Sequence, residues 1–259
     1  MYLNELREVV TRTGDLILQC QKRGETTGEW IGTQFKAQAD LIADQNLRKE
    51  LPGILDVPVV SEEDILSHAI NRPTQYWLID PIDGTASFAQ GYSGFVCQVA
   101  LMVDMRPSVA VVFAPALNRV YSAKIGGGAW LNGRPIKVRD FTQDASALVD
   151  NYPEPRGISA YLYRRFGFAR YMESGSIGLK ICIVAEGAAD VFVKDVPVKD
   201  WDIAAPLLIL QEAGGALQCR NGLPFEFCGP YEKDGIIVCS SRPLLSQIKQ
   251  LLSENPDGG

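Results

Sequence analysis

An α+β lobe followed by a closely packed α/β lobe is the fold class the sequence predicts. Three observations point to it. Two segments of helical periodicity open the chain, strand-like segments joined by tight turns fill residues 57–124, and beyond about residue 140 short strands alternate with helices. No internal repeat and no Pro/Ser-rich linker separates free domains. The 259 residues suit one large unit or two lobes, since a domain usually takes roughly 100–200 residues. The division is expected near residue 140, into an N-terminal lobe 1–140 and a C-terminal lobe 141–259.

The elements follow in order. Leu3, Leu6, Val9, Val10, Ile17 and Leu18 recur at helical spacing and predict a first helix over 2–22. Gly24 to Gly32 is polar and reads as a loop, and a second helix runs from Asp40 to Leu51, stopped by Pro52-Gly53. Strands are expected at 57–60, 76–79, 95–103, 109–113 and 119–124, the last three joined as hairpins through Met105-Arg-Pro-Ser and Pro115-Ala-Leu-Asn. Later strands are expected at 147–150, 190–194, 216–219 and 235–239, and later helices near 158–166, 176–187, 203–213 and 243–252.

Composition narrows the function. With 46% hydrophobic and 22% charged residues the chain is an ordinary globular protein. Its apolar runs fall short of the ~18–20 residues of a membrane span, and its charged, amphipathic start is unlike a signal peptide, so a cytoplasmic location is expected. The net charge of −6, without a dense Lys/Arg block, argues against a nucleic-acid polymer as partner. The six cysteines lack a Cys-x-x-Cys pair and read as buried thiols; Cys219 and Cys228 have ligand chemistry but no second pair to complete zinc. A single histidine, His68, sits in a polar segment and is expected at the surface, which leaves carboxylates as the catalytic tools.

Three carboxylate groups stand at element ends. Tyr76-Trp-Leu-Ile-Asp80-Pro-Ile-Asp83-Gly-Thr85 is an apolar strand running into two aspartates and then a Gly-Thr that opens a helix. Val59-Val-Ser-Glu62-Glu63-Asp64 is a second strand meeting acids, and Trp201-Asp202 begins a later helix. Each has an ordinary alternative: solvated or capping aspartates, an exposed acidic loop, a helix N-cap. Taken jointly they describe a centre for hard divalent ions such as Mg²⁺, which prefer oxygen ligands and offset the repulsion among buried carboxylates. Such centres serve phosphoryl transfer.

These segments, with Phe88, Gly126-Gly-Gly-Ala-Trp-Leu-Asn-Gly, Val184-Ala-Glu-Gly-Ala-Ala-Asp190 and Glu212-Ala-Gly-Gly, resemble the signature segments of the inositol monophosphatase superfamily over about residues 3–250. The resemblance implies a layered αβαβα sandwich and a Mg²⁺-dependent, lithium-sensitive phosphomonoesterase using two or three ions. It implies that Glu62, Asp80, Asp83, the carbonyl of Ile82 and Asp202 are metal ligands. Glu62 and Thr85 would position the attacking water, Gly84 and Thr85 would bind phosphate through their backbone, and Asp40 would support Thr85. Ala37 stands where the family has Thr, and no upstream Lys matches; both bear on the water network, and a binding protein that kept the fold without turnover is the contrasting expectation.

On the substrate side, Lys194 replaces the Glu that contacts sugar hydroxyls in inositol monophosphatases, and a cation suits a second phosphate. Ser174-Gly-Ser176, Lys180 and Gly94-Phe95 look more like the 3'(2'),5'-bisphosphate nucleotidase branch. That likeness implies 3'-phosphoadenosine 5'-phosphate as the small-molecule substrate, with Ser174, Ser176, Lys180 and Lys194 holding its nucleotide end. Inositol phosphates and sugar phosphates, including fructose 1,6-bisphosphate, are the alternative. A monomer or homodimer is expected.

Overall fold

The computed structural model describes residues 2–31, 34–68 and 71–254. Helix α1 (Leu3–Lys22) is followed by a hairpin of β1 (Gly28–Ile31) and β2 (Gln34–Ala37), then by α2 (Gln38–Ile54). That hairpin occupies part of the segment expected as a loop. Pro52 also lies inside α2 rather than ending it: in the last turn the missing N–H forfeits one bond, and the helix stops two residues later.

Seven strands form the first sheet in chain order: β3 (Val59–Ser61), β4 (Gln75–Asp83), β5 (Val96–Val103), β6 (Arg106–Ala114), β7 (Arg119–Lys124), β8 (Ala129–Leu131) and β9 (Arg134–Ile136). Only β3 and β4 run parallel; the rest is an antiparallel meander. The short helix α3 (Thr85–Ala89) links β4 to β5. The β5–β6 turn is Asp104-Met105, both at positive φ, one residue earlier than the Met105-Arg-Pro-Ser expected.

A five-stranded sheet follows, built from β10 (Ala147–Asp150), β11 (Arg170–Glu173), β12 (Val191–Lys194), β14 (Ala216–Cys219) and β16 (Ile236–Cys239) in the order β11-β10-β12-β16-β14. Strands β13 (Val198–Lys199) and β15 (Glu232–Lys233) pair separately. Helices α4 (Gly157–Leu162), α5 (Ile177–Ala185), α6 (Asp200–Glu212) and α7 (Arg242–Glu254) complete the chain.

The strand period of two sorts side chains into layers. Trp77, Ile79, Val99, Val111 and Phe113 pack with Leu6, Val10, Ala43 and Leu47 of α1 and α2. Their neighbours Tyr76, Leu78, Ala100, Met102 and Val112 face the other way, onto Ile181, Val184, Leu207 and Leu208 of α5 and α6, which also meet Val149, Phe192 and Val238 of the second sheet. Leu148, Val191 and Ile237 then pack on α4 and α7 through Leu162, Leu245 and Ile248. This is the expected αβαβα sandwich. It explains why α6 reads apolar all round at Ile203–Leu210: the helix is enclosed between two sheets.

Candidate active site

The same parity that sends Tyr76 and Leu78 toward α6 sends Asp80 there too. Asp80 is 1% exposed, and carboxylate oxygens of Glu62, Asp80 and Asp202 all lie within 4.8 Å of one another. Glu62 directly follows β3, and its backbone N–H donates to the Ile79 carbonyl at 3.3 Å. Asp202 is the third residue of α6 rather than its cap. Its Oδ2 accepts the Lys199 N–H at 2.7 Å, so the helix start fixes the side chain. Asp40 repeats the device as third residue of α2, its Oδ2 accepting the Ala37 N–H at 2.8 Å.

Beyond Ile79 strand β4 continues through Pro81 to Asp83, with a bulge between Asp80 and Asp83. Proline fits because β3 has already ended and asks no N–H of it. The bulge turns Asp83 toward α5: its Oδ1 accepts the Ile177 N–H at 3.3 Å and its Oδ2 the Gly178 N–H at 2.6 Å. Gly84 follows at φ +89, where a side chain would be strained and its Cβ would stand 3.0 Å from that of Ser176. The Thr85 hydroxyl lies 2.9 Å from the Ile82 carbonyl and 3.4 Å from Asp40 Oδ1.

Burial and mutual repulsion shape the electrostatics. The Asp80 carboxyl is held well above the usual carboxylate range by burial first, then by Glu62, Asp83 and Asp202. Asp202 is raised by burial, then by Asp83 and Glu62. Asp83 is raised by burial, against which the Gly178 N–H and Lys180 act. Asp80 Oδ1 has no hydrogen-bond partner among the described residues. A buried acceptor left open inside a group of carboxylates fits a hard divalent cation, whose ligands are oxygens.

Sequence reasoning passed over Gln98. It stands directly across from Asp80 in the β4–β5 ladder, and its amide Nε2 lies 3.2 Å from Asp80 Oδ2, 3.1 Å from the Trp201 carbonyl and 3.5 Å from that of Asp202. The available signal was a lone polar residue in the apolar run 95–103. His68 is another correction. Instead of a surface position it is half-buried, its Nε2 2.7 Å from the Ser61 carbonyl and its ring stacked on Trp201. Its aromatic partners lie far along the chain, which a local reading does not see.

The four substrate-side residues divide. Ser176 is buried and its hydroxyl caps α5 by accepting the Leu179 N–H at 3.1 Å. Lys180, 1% exposed, turns its ammonium onto the Gly175 carbonyl, with the Ser174 carbonyl and Asn151 Oδ1 each at 3.5 Å. Ser174 and Lys194 are half-buried, at the ends of β11 and β12. Five cysteines are buried thiols as expected, and Cys228 is exposed. No helix among the described residues is long and apolar enough to cross a membrane.

Gly94 and Gly175 approach closely at this site, where the Ser176 N–H donates to the Gly94 carbonyl at 2.6 Å and a Cβ on Gly175 would collide with that oxygen. An inositol monophosphatase of Dictyostelium discoideum is 26% identical over 274 aligned positions, covering 98% of this chain and 96% of that one. The 3'(2'),5'-bisphosphate nucleotidase CysQ of Escherichia coli (strain K12) is 33% identical over 177 positions, 66% of this chain and 70% of its own. The solved structure of an IMPase from Thermotoga maritima superposes with a TM-score of 0.85 at 25% identity, covering 99% of both chains. The profile of the Inositol monophosphatase family matches residues 6–256, and the chain belongs to that family of phosphatases.

Proposed function

We propose that the protein is a Mg²⁺-dependent phosphomonoesterase of the cytoplasm whose preferred substrate is 3'-phosphoadenosine 5'-phosphate, cleaved to AMP and phosphate. The observation that carries the metal-dependent reading is the group of Glu62, Asp80 and Asp202 around an open, buried Asp80 oxygen. Those three, with Asp83 and the Ile82 carbonyl, would hold two or three ions. Magnesium bound there supplies Lewis acidity, acidifies water and offsets phosphate charge.

The chain's own groups do the rest. The single Thr85 hydroxyl proton has two acceptors in reach, the Ile82 carbonyl at 2.9 Å and Asp40 Oδ1 at 3.4 Å; with the proton on either, the hydroxyl's lone pairs accept a hydrogen from water, and Glu62 offers a second acceptor. Two acceptors at fixed positions orient a nucleophile better than one. On this reading the backbone N–H groups of Gly84 and Thr85 would bind the phosphate oxygens. Positive φ at Gly84 lets the backbone bend there.

Lys194 favours a bisphosphorylated ester. It ends β12 half-buried, and a cation there suits a second phosphate better than a polyol hydroxyl. Similarity to CysQ supports the same choice. An inositol or sugar phosphate is the second reading, favoured by the end-to-end similarity to the Dictyostelium inositol monophosphatase. Phosphate release from 3'-phosphoadenosine 5'-phosphate, inositol 1-phosphate and fructose 1,6-bisphosphate at equal concentration, with and without Mg²⁺, tests both. The first should lead, and no substrate should turn over without the metal.

A further inference from the structure

We propose that His68 is a positioning residue for the cation-binding carboxylates, setting the separation of Glu62 from Asp202. The inference rests on the reading that those two side chains hold metal, and it adds what keeps them in place when none is bound.

The His68 ring touches the residue before each carboxylate. Its Nε2 lies 2.7 Å from the carbonyl of Ser61, which precedes Glu62. A carbonyl only accepts, so Nε2 carries the proton and the tautomer is fixed. Its ring stacks on Trp201, which precedes Asp202, with centroids 4.7 Å apart and planes 28° from parallel.

Trp201 is itself held firmly. Tyr231 lies 5.6 Å from Trp201 and 5.2 Å from His68, and the Arg72 guanidinium sits 4.0 Å above the Tyr231 ring. Arg72 pairs with buried Asp200 at 2.5 Å and donates to the carbonyls of Phe227 and Gly229. Cation, phenol, indole and imidazole thus form a column whose base is anchored by a buried ion pair. The column ends on the loop that carries Glu62.

The turn that carries Glu62 is tied to α2 by the Arg48–Asp64 ion pair at 2.9 Å and by the Ser61 hydroxyl, which donates to Asp44 at 2.5 Å; the His68 ring ties it across to α6. Within the turn, Asp64 accepts the Leu66 N–H, and the Ser67 hydroxyl donates to the Asp64 carbonyl. Its two aliphatic residues do not dock, since Ile65 is 81% and Leu66 96% exposed. Glu62 and Asp202 repel each other, so the His68 ring supplies the restraint that the apolar side chains of the turn do not.

The test is calorimetric titration of metal-free protein with Mg²⁺, no substrate present. His68→Ala should weaken binding about tenfold, as loss of an outer-shell partner commonly does; a loss below threefold overturns the proposal. His68→Phe keeps the stacking ring and loses the N–H, so its loss should fall between wild type and His68→Ala. If His68→Ala does not fold, His68→Phe decides by whether its affinity departs from wild type while its metal-free melting temperature does not. Leu66→Ala, on the same turn, should bind normally, and an equal loss there also overturns the proposal. Glu62→Gln in the same titration guards the premise: if it binds as wild type does, the ligand reading fails, whatever His68 does.

Discussion

The Asp83 carboxylate accepts the backbone N–H of Gly178 at 2.6 Å, so the end of strand β4 and the first turn of α5 share one charge. An anion at a helix N-terminus is favoured by the unpaired N–H groups and the helix dipole. This partly offsets the burial that raises the Asp83 pKa. Asp83 therefore has two tasks, helix anchor and proposed metal ligand, and one substitution separates them. Asp83→Asn keeps an amide oxygen for Gly178 and removes the charge. Melting without metal should shift by only a few degrees, while Mg²⁺-dependent kcat should drop by ~10²-fold or more. Near-normal turnover would refute the ligand assignment.

Thr85 and Asp40 form the second separable pair, with 3.4 Å between hydroxyl and carboxylate. Thr85→Ala should lower kcat by ~10²–10⁴-fold, the usual worth of a positioned proton acceptor, with little change in KM. Thr85→Ser retains the hydroxyl and should recover most of the rate. Steady-state kinetics at saturating Mg²⁺ measures both, and a Thr85→Ala enzyme within tenfold of wild type would leave the threonine no part in the chemistry.

Much of this arrangement was legible in the sequence, for identifiable reasons. Asp80 stood out because an apolar strand runs straight into it, and Asp202 because it begins a strongly apolar helix. What stayed hidden depends on pairs of segments far apart in the chain. Gln98 matters because it stands across the ladder from Asp80, His68 because Trp201 lies beside it. Lys180, which reads locally as a candidate for holding substrate, is buried because α5 lies between two sheets. Lysine in an apolar helix was the available warning, as a buried ammonium needs acceptors nearby.

Lys180 yields a pH prediction. Burial lowers its pKa from 10.5 to about 8, with Asp83 opposing and Lys194 adding to the fall. Below about 8 both folded and unfolded chains keep the proton and the burial cost is full. Between about 8 and 10.5 the unfolded chain binds more protons, so this contribution to folding becomes more favourable as pH rises. The difference in unfolding free energy between wild type and Lys180→Met should move toward wild type by ~2–3 kcal/mol from pH 7.5 to pH 10. Urea denaturation at the two pH values measures it, other titrating groups cancelling in the difference. Parallel curves would mean that the ammonium is solvated.

Lys194 is where substrate choice can be tested with one side chain. It ends β12, its backbone pairs with Ile236, and its side chain is half-buried rather than extended into solvent. If it meets a second phosphate, Lys194→Glu replaces a charge-assisted contact with repulsion. A hydrogen bond to a charged group is worth about 1.5–3 kcal/mol, so kcat/KM for 3'-phosphoadenosine 5'-phosphate should fall by ~10–100-fold. Inositol 1-phosphate offers that position only hydroxyls, which glutamate accepts from readily, so its kcat/KM should change little or rise. Metal-free melting temperature serves as the control for folding, and the two substrates must be assayed on one preparation. Equal losses for both would remove the ground for preferring a bisphosphorylated nucleotide, and the inositol phosphate reading would take its place.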